Sequence, residues 1–153
     1  CDINPFFSCG SVMQSWQATL FFDTPNQLYG IGGYAAVALI GAAMLAGATF
    51  KRAFWVLTTL GLFAAYSWLM WMFYQAVFVI GFLCLYCMAV WAIHIILWWV
   101  FLPWALKQGM LGSSPAAKKL GAQWLPYSWI VIVINYAVIG LSILIQFPLL
   151  FSV

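Results

Sequence analysis

The chain has 153 residues, which is the length of one domain. It is 67% hydrophobic and only 5% charged, against the roughly 25% charge of soluble domains, so a soluble globular fold is excluded. A net charge of +3 gives nucleic-acid binding no electrostatic basis.

The chain opens on Cys1 rather than Met and shows no signal peptide, which points to a cut from something longer. Residues 1–27 have too few apolar residues for a span. Within them Val12, Met13, Trp16 and Leu20 recur at helical spacing. They predict a short amphipathic helix over about 11–21, lying on a membrane surface. Asp23, Thr24, Pro25 and Asn26 then make a turn.

A spanning helix needs about 20 mostly apolar residues. Four stretches meet this, at about 28–50, 54–80, 83–102 and 128–150. The second is long enough to tilt, and Gly81 breaks it from the third. Ala38, Ala42 and Ala46 recur every four residues on the first span, a small-residue face for close helix packing. Residues 109–117, rich in Gly, Ser and Pro, read as a flexible loop on the cytoplasmic side.

Lys51 and Arg52 join the first two spans, and Lys107, Lys118 and Lys119 join the last two. Four antiparallel spans put both basic loops on one side, the cytoplasmic one by the positive-inside rule. The acidic residues Asp2 and Asp23 fall on the opposite side, and so do all four cysteines. Disulfides persist outside the cytoplasm.

Cys84 and Cys87 form C-L-Y-C at the head of the third span. One helical turn brings such sulfurs within disulfide reach, and the positive helix end favours the thiolate that attacks in exchange. Four cysteines allow three connectivities. Three readings stay open at this point: a redox relay through Cys1–Cys9 and Cys84–Cys87, two structural disulfides in a cap, or a four-thiolate zinc site. Asn26 and Ser15 sit where a hydrogen bond to a quinone carbonyl is possible; as ordinary residues they are a turn or cap residue and a surface serine. His94, seven residues after Cys87 on the same face, either carries protons or packs with one hydrogen bond. Asn135 and Tyr136 are ambiguous in the same way. Trp104, Trp124 and Tyr127 read as interfacial anchors.

Across nearly its whole length the chain resembles the vitamin K epoxide reductase family, its bacterial members in particular. The resemblance rests on C-D-I-N-P-F-F-S-C-G-S-V at 1–12, S-W at 15–16, P-N-Q-L-Y-G at 25–30 and C-L-Y-C at 84–87. It implies a membrane thiol:quinone oxidoreductase that supports disulfide-bond formation in exported proteins. Cys1 corresponds to the cysteine that meets a thioredoxin-like partner, and Cys9 to the one that attacks at Cys84. Cys87 corresponds to the cysteine facing the quinone. Asn26 matches the hydrogen bond to the quinone carbonyl, Ser15 a serine that steadies the loop, and Tyr34 a wall aromatic. Where vertebrate members carry a ketone-binding tyrosine, this chain has Trp91, which lacks a hydroxyl; this favours quinone reduction over epoxide reduction. The family's first span precedes the first loop cysteine and is absent here. So is the thioredoxin-like domain that some bacterial members carry after the last span.

The fold expected is an all-α integral membrane bundle of four transmembrane helices around a quinone pocket. Residues 1–27 form an extracytoplasmic cap carrying Cys1 and Cys9, and residues 28–153 form the bundle. Menaquinone or ubiquinone is the expected cofactor, an extracytoplasmic thioredoxin-like protein, separate or removed from this chain, the partner, and the bacterial inner membrane the location. The rival functions are a quinone-epoxide reductase and, from another class, a structural four-span scaffold with a disulfide cap.

Overall fold

The computed structural model describes residues 7–20 and 22–148. Cys1, Asp2, Phe21 and the end of the fourth expected span (149–150) lie outside the described residues.

Four long apolar helical stretches meet the requirement for crossing a membrane, and the chain is an all-helical membrane protein. A short helix α1 (Cys9–Met13) and a 3-10 turn (Trp16–Thr19) come first. The spans are α2 (Asn26–Leu45), α3 (Arg52–Tyr74), α4 (Leu85–Lys107) and α6 (Ser128–Gln146). A π-helical turn, Gln75–Ile80, extends α3. A further helix, α5 (Pro115–Trp124), precedes α6.

Glycines end three of these elements. Gly47 and Gly109 follow α2 and α4 at φ +87° and +73°. Gly47 N–H donates to Met44 O and Ala48 N–H to Ala43 O; Gly109 N–H donates to Leu106 O and Met110 N–H to Ala105 O. These paired bonds close a helix end when the following residue is left-handed, where glycine carries no Cβ penalty. Gly81, at φ +74°, stops the π-helical turn as its N–H donates to Ala76 O.

Two expectations are corrected. The single amphipathic helix over 11–21 is instead α1 and a 3-10 turn. Ser15 adopts an extended backbone (ψ 149°) and its Oγ donates to Val12 O at 2.7 Å, ending α1. The buried side is Cys9, Val12, Gln17 and Ala18, while Trp16 and Leu20 are exposed. Residues 109–117 are not loop throughout. Pro115 takes the first position of α5, where its missing N–H costs nothing. Gly121 then lets α5 lie directly on α4. A Cβ there would collide with Lys107 N and approach Pro103 O to 2.6 Å and Leu106 Cβ to 2.8 Å.

Polar side chains tie the spans together. His94 Nε2 lies 3.2 Å from Leu62 O and its Nδ1 lies 3.0 Å from Tyr34 Oη, joining α4 to α3 and α2. A carbonyl only accepts, so Nε2 carries the hydrogen of the neutral ring and Tyr34 O–H donates to Nδ1. Tyr66 O–H donates to Asn135 Oδ1 at 2.8 Å, and Tyr136 O–H to Ala92 O at 2.6 Å, fastening α6 to α3 and α4. In hydrocarbon no water satisfies these groups, and these four contacts pair them within the bundle.

The apolar core lies at the end where α4 begins. Phe73, Ala76, Val77, Leu83, Trp91, Ile143 and Phe147 form one buried cluster. Cys9, Val12 and Cys84 form the centre of another. At the opposite end Arg52 Nη2 donates to Leu111 O at 2.9 Å, so the two basic loops meet.

Candidate functional site

Ser8 sets the first half of the site. Its Oγ accepts from Ser11 N–H at 3.2 Å, capping α1 and placing Cys9 in the first turn. The loop is then pinned to the entry of α4 by backbone pairing. Phe7 and Leu83 form a parallel bridge, and Ser8 N–H donates to Leu83 O at 3.1 Å. Cys84 follows Leu83 as the residue capping α4, and Cys87 lies in the first turn of that helix.

The consequence is a sulfur-to-sulfur contact. Cys84 Sγ lies 3.4 Å from Cys9 Sγ, although 75 residues separate them. Cys9 is disulfide-bonded, whereas Cys84 and Cys87 are free thiols. Cys84 is fully buried and Cys9 is 4% exposed. Cys87 packs on both apolar clusters and keeps partial exposure. A thiol held against one sulfur of a disulfide is the reactant arrangement for exchange: a Cys84–Cys9 bond forms as the existing bond at Cys9 breaks. Val12, Ile80 and Phe82 pack around this contact and keep water away.

The other residues singled out from the sequence are dispersed. Asn26 opens α2, where its Nδ2 donates to Gln17 O at 2.9 Å and lies 3.9 Å from Met72 Sδ. It thereby staples the 3-10 turn to α2 and α3. Ser15 holds the end of α1, as a steadying residue would. Tyr34 lies two turns below Asn26 on α2, bonded to His94. Trp91 is 3% exposed and meets Phe73 edge-on at 5.3 Å, inside the cluster between α3, α4 and α6.

Sequence reasoning missed Gln17, which is 3% exposed and receives the Asn26 bond. It also missed the pairing of Phe7 and Ser8 with Leu83. The pattern Ser8-x-x-Ser11 was the available signal for the α1 cap; for Gln17 there was none. Asn26 Oδ1 and Gln17 Oε1 are both buried without a partner. Such orphans are costly unless a donor completes them.

The model of the "Vitamin K epoxide reductase family" matches residues 1–102. The chain belongs to this family. No curated protein and no solved structure matches it. The match runs from the loop through most of α4 and contains all four cysteines, while α5 and α6 lie beyond it. Membership makes the protein a membrane oxidoreductase, and family members use quinones.

Proposed function

We propose that this vitamin K epoxide reductase family protein is a thiol:quinone oxidoreductase that draws electrons from a dithiol partner and delivers them to quinone in the bilayer. The observation that carries the reading is the 3.4 Å approach of the Cys84 thiol to the disulfide-bonded Cys9. A structural disulfide cap has no use for a free thiol at that position.

The relay balances in three exchanges. A reduced thioredoxin-like partner opens the Cys1–Cys9 disulfide and leaves as a disulfide itself, having given up two electrons. Cys9 thiolate attacks Cys84 of an oxidised Cys84–Cys87 pair, forming Cys9–Cys84 and releasing Cys87. Cys1 then attacks Cys9, restoring the loop disulfide and freeing Cys84. In this reading, Cys9 in a disulfide with Cys84 and Cys87 as thiols corresponds to the relay with two electrons on the inner pair.

Quinone supplies the two-electron acceptor, taking two protons as Cys84 and Cys87 close their disulfide. Menaquinone and ubiquinone both answer this description. Asn26 is the residue for its oxygen: its second N–H has only the Met72 sulfur, and its Oδ1 is free to accept from a quinol hydroxyl. Tyr34 and Trp91 act as walls, and Ser15 as a brace of the loop. With Trp91 in the apolar core, no tyrosine hydroxyl stands one turn beyond Cys87, which favours plain quinone reduction over epoxide reduction.

By the positive-inside rule the cysteine end faces away from the cytoplasm. In this reading the protein is a multi-pass protein of a bacterial cytoplasmic membrane that serves disulfide formation in exported proteins. The test is coupled turnover. Purified protein is mixed with a reduced thioredoxin-like protein and a short-tailed quinone, and quinone absorbance and free thiols are followed together. Both signals should fall together in wild type, and neither should fall with Cys87→Ala. Full turnover in Cys87→Ala would sink the mechanism.

A further inference from the structure

At the end of the bundle opposite the cysteines, α2 stands away from α3 and α4 and leaves a cleft. Its outer part is a cavity of about 360 Å³ whose walls include Met44, Phe50, Arg52, Trp55 and Gly109. A second cavity of about 130 Å³ continues inward between Val37, Ile40 and Gly41 of α2 and Leu62 and Phe101 on the facing helices. Met44 and Trp55 line both, so the two adjoin. From Met44 to Val37 the cleft runs about 10 Å along α2, at the helical rise of about 1.5 Å per residue. The Tyr34–His94–Leu62 junction lies at its inner end.

Its two halves differ in chemistry. The inner walls are almost wholly apolar. The opening is lined by one cation and bordered by a second: Arg52, in its wall, holds Leu111 O through Nη2, and its remaining N–H groups are available. Lys118 lies against Gly109, where a Cβ would collide with its Cε and come within 3.1 Å of Nζ. The first turn of α3, beginning at Arg52, adds the positive end of a helix. Asp23, the one acidic residue among the described residues, lies before α2 at the far end of the bundle.

We propose that this cleft binds one anionic glycerophospholipid, its phosphate between Arg52 and Lys118 and one acyl chain laid along α2 past Gly41. The apolar depth selects a lipid over a soluble anion. The paired cations select an anionic headgroup over a zwitterionic one, whose own cation would sit against Arg52 and Lys118. The site is separate from the cysteines, so the inference does not depend on the relay.

The test is native mass spectrometry of the purified full-length protein, with equimolar phosphatidylglycerol and phosphatidylcholine of the same acyl chains. Wild type should retain one phosphatidylglycerol with about thirtyfold preference, the factor that two surface cations at roughly 1 kcal/mol each represent. Arg52→Gln with Lys118→Gln should abolish that preference. Lys118→Gln alone keeps the Arg52–Leu111 bond and should remove part of it. Gly41→Leu, placed where a Cβ meets open space, should lower retention of both lipids while keeping the headgroup preference. Equal retention of the two lipids by wild type, or an unchanged preference in the double variant, would overturn the proposal. So would displacement of the bound lipid by an added polyprenyl quinone, which would assign the cleft to a quinone tail.

Discussion

Helices α2 and α4 are both apolar spans, of 20 and 23 residues, yet the bundle treats them differently. α4 buries Trp91, His94, Ile95, Trp98, Pro103 and Ala105, whereas α2 buries none. In water an unburied apolar helix would be costly. In a bilayer it is not, because lipid tails are as apolar as its side chains. Apolarity therefore decides that a helix spans, and packing geometry decides what it touches. α4 has the bundle around it and carries the inner cysteine pair. α2 is attached through Asn26 at one end and Tyr34 near its middle, with the cleft below.

The contrast can be broken most sharply with one glycine in each setting. Gly121→Val drives a branched side chain into the backbone of α4 at Pro103 and Lys107, and should cost about 3 kcal/mol in unfolding from detergent micelles. Gly32→Val on α2 meets nothing within 4 Å and should change stability by less than about 0.5 kcal/mol. Equal costs at the two sites would remove the distinction between the helices. The polar attachment of α2 gives the next largest effect. Tyr34→Phe leaves His94 Nδ1 without its donor and should cost about 1–2 kcal/mol. The double variant with His94→Leu should cost less than the two single changes added, because they remove one shared bond. Strict additivity would mean that the bond does not hold α2.

How much of this was readable in advance follows the range of each interaction. The spans were readable because apolar runs are local. So was the gathering of the basic loops at one end, since chain reversal alone decides it. Their edges were less so: α2 begins at Asn26 because Pro25 precedes it, two residues before the apolar run. Helix α5 was missed because Gly112, Ser113, Ser114 and Pro115 look like loop. The feature that fixes it, the seat of Gly121 on α4, is a tertiary contact with no local signature. The C-x-x-C of Cys84 and Cys87 at the head of α4 was readable by spacing. The approach of Cys9 to Cys84 depends on the pairing of Phe7 with Leu83, which sequence periodicity does not encode. Likewise His94 was visible as a lone histidine in a span, while its two partners on α2 and α3 were not.

The smallest effect tests the cysteine end of the comparison. If α4 and the loop together hold the reactive geometry, loosening the loop should slow exchange without unfolding the bundle. Ser8→Ala removes the cap on α1, an interaction typically worth about 1 kcal/mol, and leaves the backbone bridge to Leu83 intact. In a Cys87→Ala background, Cys84 attacks Cys9 and releases that residue's former partner as a thiol; an alkylating reagent present during the reaction caps the released thiol, so that neither it nor Cys87 can resolve the new bond. The Cys9–Cys84 bond then accumulates and can be counted by gel shift after thiol blocking. Adding Ser8→Ala should slow its formation by about fivefold, the factor that 1 kcal/mol represents. An unchanged rate would show that the bridge alone positions Cys9. A complete loss would show that α1 exists only through its cap.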